Sequence, residues 1–349
     1  MSVRHMFAGV NSPYGFYSNF NFIADDAKCK RKVYLKGGPG TGKSTLIKKI
    51  LSEAEDDGYD CELFHCSSDA QSADGLYLPQ LRTAVVDATA PHSADPTYPG
   101  FTGEIYNAGE YINHDKLLED GEKILFYNDE KRAAFRRAYS FLSAAGAVLS
   151  NICENAGRRM DPRCISIESE RLVKKLFGNI DSAREGNVRK LFLSAVCPDG
   201  FVNFAESLFA SCNVVAIKGC WGPPLLVERI MHAALYKGLD VEAYYCPLNP
   251  SDRVEHIIIP EIKVAFTTYN YYHHYVGDEI IDLEYYHDGK TTEGLDEDCI
   301  MAEQLLERAV VSLTAAKEAH RFLERIYTPA MDFTALERSS RALIKNIFE

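Results

Sequence analysis

Leu35 to Thr45 reads Leu-Lys-Gly-Gly-Pro-Gly-Thr-Gly-Lys-Ser-Thr. Its core, Gly37 to Ser44, has the spacing G-x-x-x-x-G-K-[ST] of a phosphate-binding loop. Glycines let the backbone turn so that successive N–H groups face one concavity, which suits phosphate oxygens. The residues on either side supply the context that such a loop needs. Lys32 to Lys36 alternates in β-branched and aromatic character, which predicts a strand. Ser44 to Asp57 has apolar residues at Leu46, Ile47, Ile50, Leu51 and Ala54, which predicts an amphipathic helix. A helix starting near Lys43 adds its N-terminal dipole to the cradle. The expected nucleotide-binding set is therefore Gly37, Gly38, Pro39, Gly40, Thr41, Gly42, Lys43, Ser44 and Thr45. Lys43 is expected to reach the β- and γ-phosphates, and Ser44 to give its hydroxyl to Mg²⁺.

Two further strands are predicted over Asp60–Cys66 and Thr83–Asp87, the second being the apolar run Thr-Ala-Val-Val-Asp. Strand, helix, strand and strand in this order predict an α/β fold with a parallel sheet and flanking helices. Helices are expected over Ala133–Glu154 and Glu168–Phe177, and again over Asp298–Tyr327 and Phe333–Phe348. Asp87 closes its strand where a carboxylate can hold the Mg²⁺ shell. The plain alternative is a turn cap.

The chain is also written twice. Val3-Arg4-His5-Met6-Phe7 has a twin in Val188-Arg189-Lys190-Leu191-Phe192. Val33 to Gly40 (VYLKGGPG) lines up with Val215 to Gly222 (VAIKGCWG), Cys66 with Cys246, Pro79 with Pro260, and His92 with His273. Met160 to Phe177 runs without a gap against Met331 to Phe348. Matches that keep their order through the chain mark a duplication: one copy at 1–177, a polar linker at 178–187 and a second copy at 188–349. Each copy is expected to be an α/β core followed by a helical segment.

Comparison of the copies sorts the candidates. In the second, the loop is two residues shorter, no lysine takes the place of Lys43, Pro223 and Pro224 remove N–H donors, and Thr268 takes the place of Asp87. The second copy is read as degenerate, keeping the fold without nucleotide chemistry. His65-Cys66-Ser67-Ser68-Asp69 becomes Tyr245-Cys246-Pro247-Leu248-Asn249, so Asp69 is lost together with the loop. Asp69 reads either as a base that accepts a hydroxyl proton or positions water, or as a turn cap. His92 persists in both copies and reads as a catalytic candidate or as a hydrogen-bonded structural histidine. Thr89 to Gly103 is loop-like, and Asp95 and Glu104 are further candidates there. Arg136-Arg137 and Arg158-Arg159 read as solvated helix faces ahead of the alternative, a charge-stabilising arginine finger.

Composition bounds the possibilities. The 349 residues are 46% apolar and 25% charged, with 38 Lys and Arg against 50 Asp and Glu, a net charge of −12. That excludes a disordered or collagen-like chain, and gives no general attraction for nucleic acid or an anionic membrane. No apolar run approaches the ~18 residues of a membrane span, Met1 to Gly15 has no signal-peptide core, and ten Cys are scattered. Reduced thiols in a cytoplasmic protein are expected.

Leu35–Thr45, His65–Asp69 (HCSSD), Asp87–Gly100 (DATAPHSADPTYPG) and the duplication together resemble an uncharacterised bacterial family of tandem P-loop ATPases. The resemblance covers the whole chain. It implies an ATP-binding P-loop NTPase fold, carried by Lys43, Ser44 and Asp87. The family expectation is a second loop closer to the standard form, and this sequence departs from it at Pro223–Leu226, which counts against turnover at two sites. The expected function is Mg²⁺-dependent ATP hydrolysis in the N-terminal copy. The alternatives are a small-molecule kinase with Asp69 as base, and a slow nucleotide switch or scaffold with the C-terminal copy as docking surface for a small-molecule or protein partner.

Overall fold

The structure is a computed structural model and describes residues 2–180, 184–270, 272–288 and 294–349; positions 181–183 of the expected linker lie outside them. The first copy runs β1 (Val3–Phe7), β2 (Gly9–Ser12), β3 (Gly15–Ser18), β4 (Arg31–Lys36), α1 (Lys43–Asp56), β5 (Cys61–Cys66), β6 (Asp69–Leu78), β7 (Thr83–Asp87), β8 (Gly103–Asn107), α2 (His114–Glu119), α3 (Gly121–Gly157) and α4 (Arg163–Phe177). The second runs β9 (Val188–Leu191), β10 (Ser194–Cys197), β11 (Gly200–Asn203), α5 (Ala205–Phe209), β12 (Asn213–Lys218), α6 (Pro223–Tyr236), β13 (Val241–Cys246), β14 (Asn249–Ile259), β15 (Val264–Tyr269), β16 (Glu279–Asp282), α7 (Leu295–Tyr327) and α8 (Phe333–Phe348).

Each copy builds a six-stranded sheet with the same order, β1-β5-β6-β7-β4-β8 and β9-β13-β14-β15-β12-β16. The expected parallel sheet is found in part: β1 with β5, and β4 with β7 and β8, pair in parallel. β6 runs antiparallel to both β5 and β7, as β14 does to β13 and β15. Most of β6, the run Asp-Ala-Gln-Ser-Ala-Asp-Gly from Asp69 to Gly75, has small and polar residues and none of the β-branched pattern that marks a strand. It becomes one because the Ser67-Ser68 turn folds it back on β5 and its second half fills the core. α3 also begins earlier than expected, at Gly121. Its charged first turns lack an apolar period, and α7 supports them, with Tyr127 stacked on Phe322 at 4.7 Å.

The duplication is written into backbone geometry. Gly15 and Gly200 have φ of 105° and 102°, and Gly37 and Gly219 of 149° and 151°. Arg82 and Lys263, neither a glycine, both take a left-handed turn at φ 48° and 53°. The copies meet at β1 and β9, where Phe7 and Phe192 exchange two backbone hydrogen bonds of 2.9 and 3.0 Å. Beside them Arg4 and Arg189 each pair with both Glu62 and Glu242.

The helical segments do not stay with their own copies. Cys164, Ile165, Leu172 and Phe177 of α4 share a core with Leu226, Val227 and Ile230 of α6. Leu343 and Ile347 of α8 complete the core over Ile47, Ile50 and Ala54 of α1. α3 and α7 pack along each other through Ala138, Leu142, Ala309 and Leu313. Each sheet is therefore finished by a helix that follows the other sheet in the chain. No helix among the described residues is long and apolar enough to cross a membrane.

Candidate functional site

The loop between β4 and α1 forms a tight cradle. Gly42 is the N-cap of α1 with φ 83°, a left-handed conformation that favours glycine. No side chain caps α1 and no acid stands in its first turn, so its first N–H groups and dipole are left for an anion. Thr41 Oγ1 donates to the Gly38 carbonyl at 2.8 Å. Lys43 Nζ donates to the Gly37 and Gly38 carbonyls at 2.9 and 3.0 Å and lies 3.7 Å from an Asp87 oxygen. Ser44 Oγ accepts from the Ala73 N–H of β6 at 2.9 Å. Asp87 Oδ1 accepts from Thr89 through both backbone N–H and hydroxyl.

The structure gathers Lys43, Ser44, Asp87 and His92, and adds a residue that the sequence reading missed. Asp74 of β6 is buried, and single ligand atoms from Asp74, Asp87 and His92 all lie within 4.8 Å of one another. Asp74 is the extra residue of a β-bulge: Phe64 pairs with Gly75 and His65 with Ala73, which leaves Asp74 unpaired in the ladder. A bulge turns a side chain away from its regular alternation, and here it brings a carboxylate beside Asp87. Burial raises the Asp74 carboxyl to about 6, with His92 opposing and Asp87 adding to the rise. His92 Nε2 lies 3.6 Å from Asp74, and its ring stacks on Phe20 at 4.5 Å. The signal for Asp74 was present as its alignment with Glu255, but neither residue belonged to a strand in the sequence reading.

Other candidates fall elsewhere. Asp69 is ion-paired at 3.1 Å with Lys317 of α7, which also approaches Asp199 at 3.5 Å. Asp95 pairs with Lys36 at the surface, and Glu104 makes a forked pair with Arg31. Pro39 and Thr45 stay on the loop and the first helical turn, with Thr45 exposed.

α7 of the second copy closes over this loop. A Cβ on Gly38 would lie 2.8 Å from the Tyr327 ring, and one on Gly40 would lie 2.7 Å from Thr328 Oγ1. Arg321, Glu324, Arg325, Thr328 and Pro329 line a cavity of about 440 Å³ there. His320 feels the Lys43, Asp69 and Asp87 charges; partial burial, with Lys131 and Lys43, pushes its imidazole down to about 4. Sequence reading within one copy could not find these residues, because they belong to the other.

The second copy's loop is built differently. Strand register pairs Leu35 with Asp87 and Ile217 with Thr268, so Thr268 does stand at the Asp87 position. Gly222 caps α6 as Gly42 caps α1, which puts Pro223 at the Lys43 position and Pro224 at the Ser44 position. The Cys220 N–H donates to the Glu284 carboxylate at 2.9 Å, so an acid of the same copy takes a donor of the loop. The Trp221 indole packs against Gly157 at the end of α3, mirroring Tyr327 on Gly38.

Compared with known proteins, the chain matches no family model, no curated protein and no solved structure.

Proposed function

We propose that the N-terminal copy binds ATP with Mg²⁺ and transfers its γ-phosphoryl group to water, and that the chain belongs with the tandem P-loop ATPases it resembles. One observation carries the reading: an uncapped α1 N-terminus behind a glycine turn, with the Lys43 amine folded onto loop carbonyls that a phosphate would replace. Loop N–H groups and Lys43 would bind the β- and γ-phosphates, where fixed donors stabilise charge as it develops. Ser44, Asp87 and Asp74 fit a hard cation by donor chemistry, being one hydroxyl and two carboxylates. When bound, Mg²⁺ would neutralise charge on the phosphate oxygens. Arg321 and Arg325 line a cavity with Glu324 and Thr328, the two residues that approach Gly40, and would offer positive charge from the second copy.

The kinase alternative loses ground because Lys317 holds Asp69 as an acceptor. The switch alternative gains from the same contact, since α7 touches both the loop and the Asp69 turn. Calorimetric titration of the whole chain with Mg·ATP is the test. One site per chain is expected, lost in Lys43→Ala and kept in Leu225→Ala. Two sites, or equal sensitivity at both positions, would overturn the assignment of a single working copy.

A further inference from the structure

The second copy has lost its phosphate cradle, yet its sheet holds a second cluster of ligand-type side chains. Glu255, His256 and His273 are buried at 4%, 1% and 5% exposure, and one ligand atom from each lies within 4.8 Å of the others. Glu255 is the twin of Asp74. It is the extra residue of the matching bulge, with Tyr244 paired to His256 and Tyr245 to Val254. His273 is the twin of His92. The third member differs: the first copy uses Asp87, whose position is Thr268 here, while the second supplies His256 where the first has Gly75.

His256 Nδ1 lies 2.8 Å from Thr267 Oγ1, which is itself 3.3 Å from the Thr268 carbonyl. In the tautomer that a metal would select, the hydroxyl donates to that carbonyl and His256 Nδ1–H donates to the hydroxyl. Nε2 then carries a lone pair, and it is buried with no hydrogen-bond partner among the described residues. His273 repeats the pattern. Its Nε2 is held by Ser194 Oγ at 3.1 Å, while Nδ1, also without a hydrogen-bond partner, lies 3.8 Å from Glu255 Oε2. The other Glu255 oxygen is ion-paired with Arg253 at 3.1 Å. Burial pushes both imidazoles down, with Arg253 adding to it and Glu255 opposing it at His273.

An orphaned buried ring nitrogen keeps its full desolvation penalty with no bond to offset it, and two in one place next to a carboxylate call for a shared partner. Metal-bound histidines characteristically use their second nitrogen on an oxygen group that sets tautomer and ring angle, as Thr267 and Ser194 do here.

We propose that Glu255 Oε2, His256 Nε2 and His273 Nδ1 form a binding site for a borderline divalent transition-metal ion, zinc or ferrous iron. Two imidazoles and one carboxylate are the donor set such ions take, and hard Mg²⁺ or Ca²⁺ disfavours it. Bonds of about 2.0–2.2 Å require the three atoms to draw together by roughly 1 Å, a rotamer-scale adjustment. The two copies would then hold different cations at one position of the fold: a hard ion with phosphate in the first, a nitrogen-ligated ion in the second.

Cobalt(II) is the probe. The full-length protein, stripped with a chelator, is titrated with Co²⁺ and then with Zn²⁺ in competition, and bound metal is counted. One equivalent with the visible bands of nitrogen-ligated, low-coordinate Co²⁺ is expected, together with two hyperfine-shifted exchangeable imidazole N–H signals. His256→Gln and His273→Gln, as losses of direct ligands, should each weaken binding by at least the roughly 10–100-fold that changing a supporting group costs, while Asp74→Asn should retain it. Absence of those bands in the wild-type protein overturns the site. So does binding that survives both histidine changes, or that is lost in Asp74→Asn instead. Should neither histidine variant fold by circular dichroism, the imidazole signals of the wild-type protein decide alone: two support the site, none overturns it.

Discussion

Lys43 and Pro223 open equivalent helices, and the exchange of one for the other separates the two copies chemically. Asp74 is the less obvious residue of the first copy's cluster, since only a bulge turns it towards Asp87. Asp74 is one of the two carboxylates proposed to hold the cation, and even a group that only supports a metal ligand typically costs about 10–100-fold when changed. Asp74→Asn should therefore lower Mg²⁺-dependent ATP turnover by about that factor, read from initial rates over a Mg²⁺ series. Rates equal to wild type at limiting Mg²⁺ would remove Asp74 from the site. The cradle residues were legible in the sequence because a spacing rule carries them, and Asp87 because it closes an apolar strand. Asp74 and Glu255 were not, because a bulge leaves no mark in residue type. Even the match of His92 with His273 became chemically meaningful only once each was seen beside its carboxylate.

At the scale of elements, the predicted boundaries of β7, α7 and α8 lie close to those observed because their apolar patterns are strong, whereas β6 is a strand by tertiary context alone. The exchange of helices was illegible for a different reason: periodicity reveals that α8 has an apolar face, and says nothing about which sheet receives it. Leu343 is 5% exposed and packs in the core that holds Ile47 and Ile50 of α1. Leu343→Ala should cost roughly 2–5 kcal/mol, and hydrogen exchange should quicken in α1 of the first copy more than in α6 of the second. The reverse order would contradict the exchange. The contact of α7 with the loop makes a paired prediction. Gly38→Ala drives a methyl into the Tyr327 ring and should weaken ATP binding, and Tyr327→Ala in the same chain should recover most of the loss. A coupling of about 0.5–3 kcal/mol between the two changes is expected; additive losses would mean that the ring and the loop do not communicate.

On the scale of the whole molecule, the two copies form one folding unit. The sheets meet through Phe7 and Phe192, helices from each copy finish the core of the other, and four charges sit on the seam. Burial alone would raise the Glu242 carboxyl, but Arg4 and Arg189 outweigh it and hold it at about 2. A depressed carboxyl stabilises the fold above its unfolded value of 4.5 and loses that contribution as pH falls towards 2. Wild-type stability, followed as the urea midpoint, should therefore drop between those limits. In Glu242→Gln that part of the acid slope should vanish. At neutral pH the same change leaves Arg4 and Arg189 sharing Glu62 alone, at a cost of roughly 3–5 kcal/mol. Because the seam joins the copies, the loss should appear in both sheets at once and as a single transition. Two separable transitions, or an unchanged acid slope in Glu242→Gln, would mean that the copies fold independently and that the seam merely holds them in register.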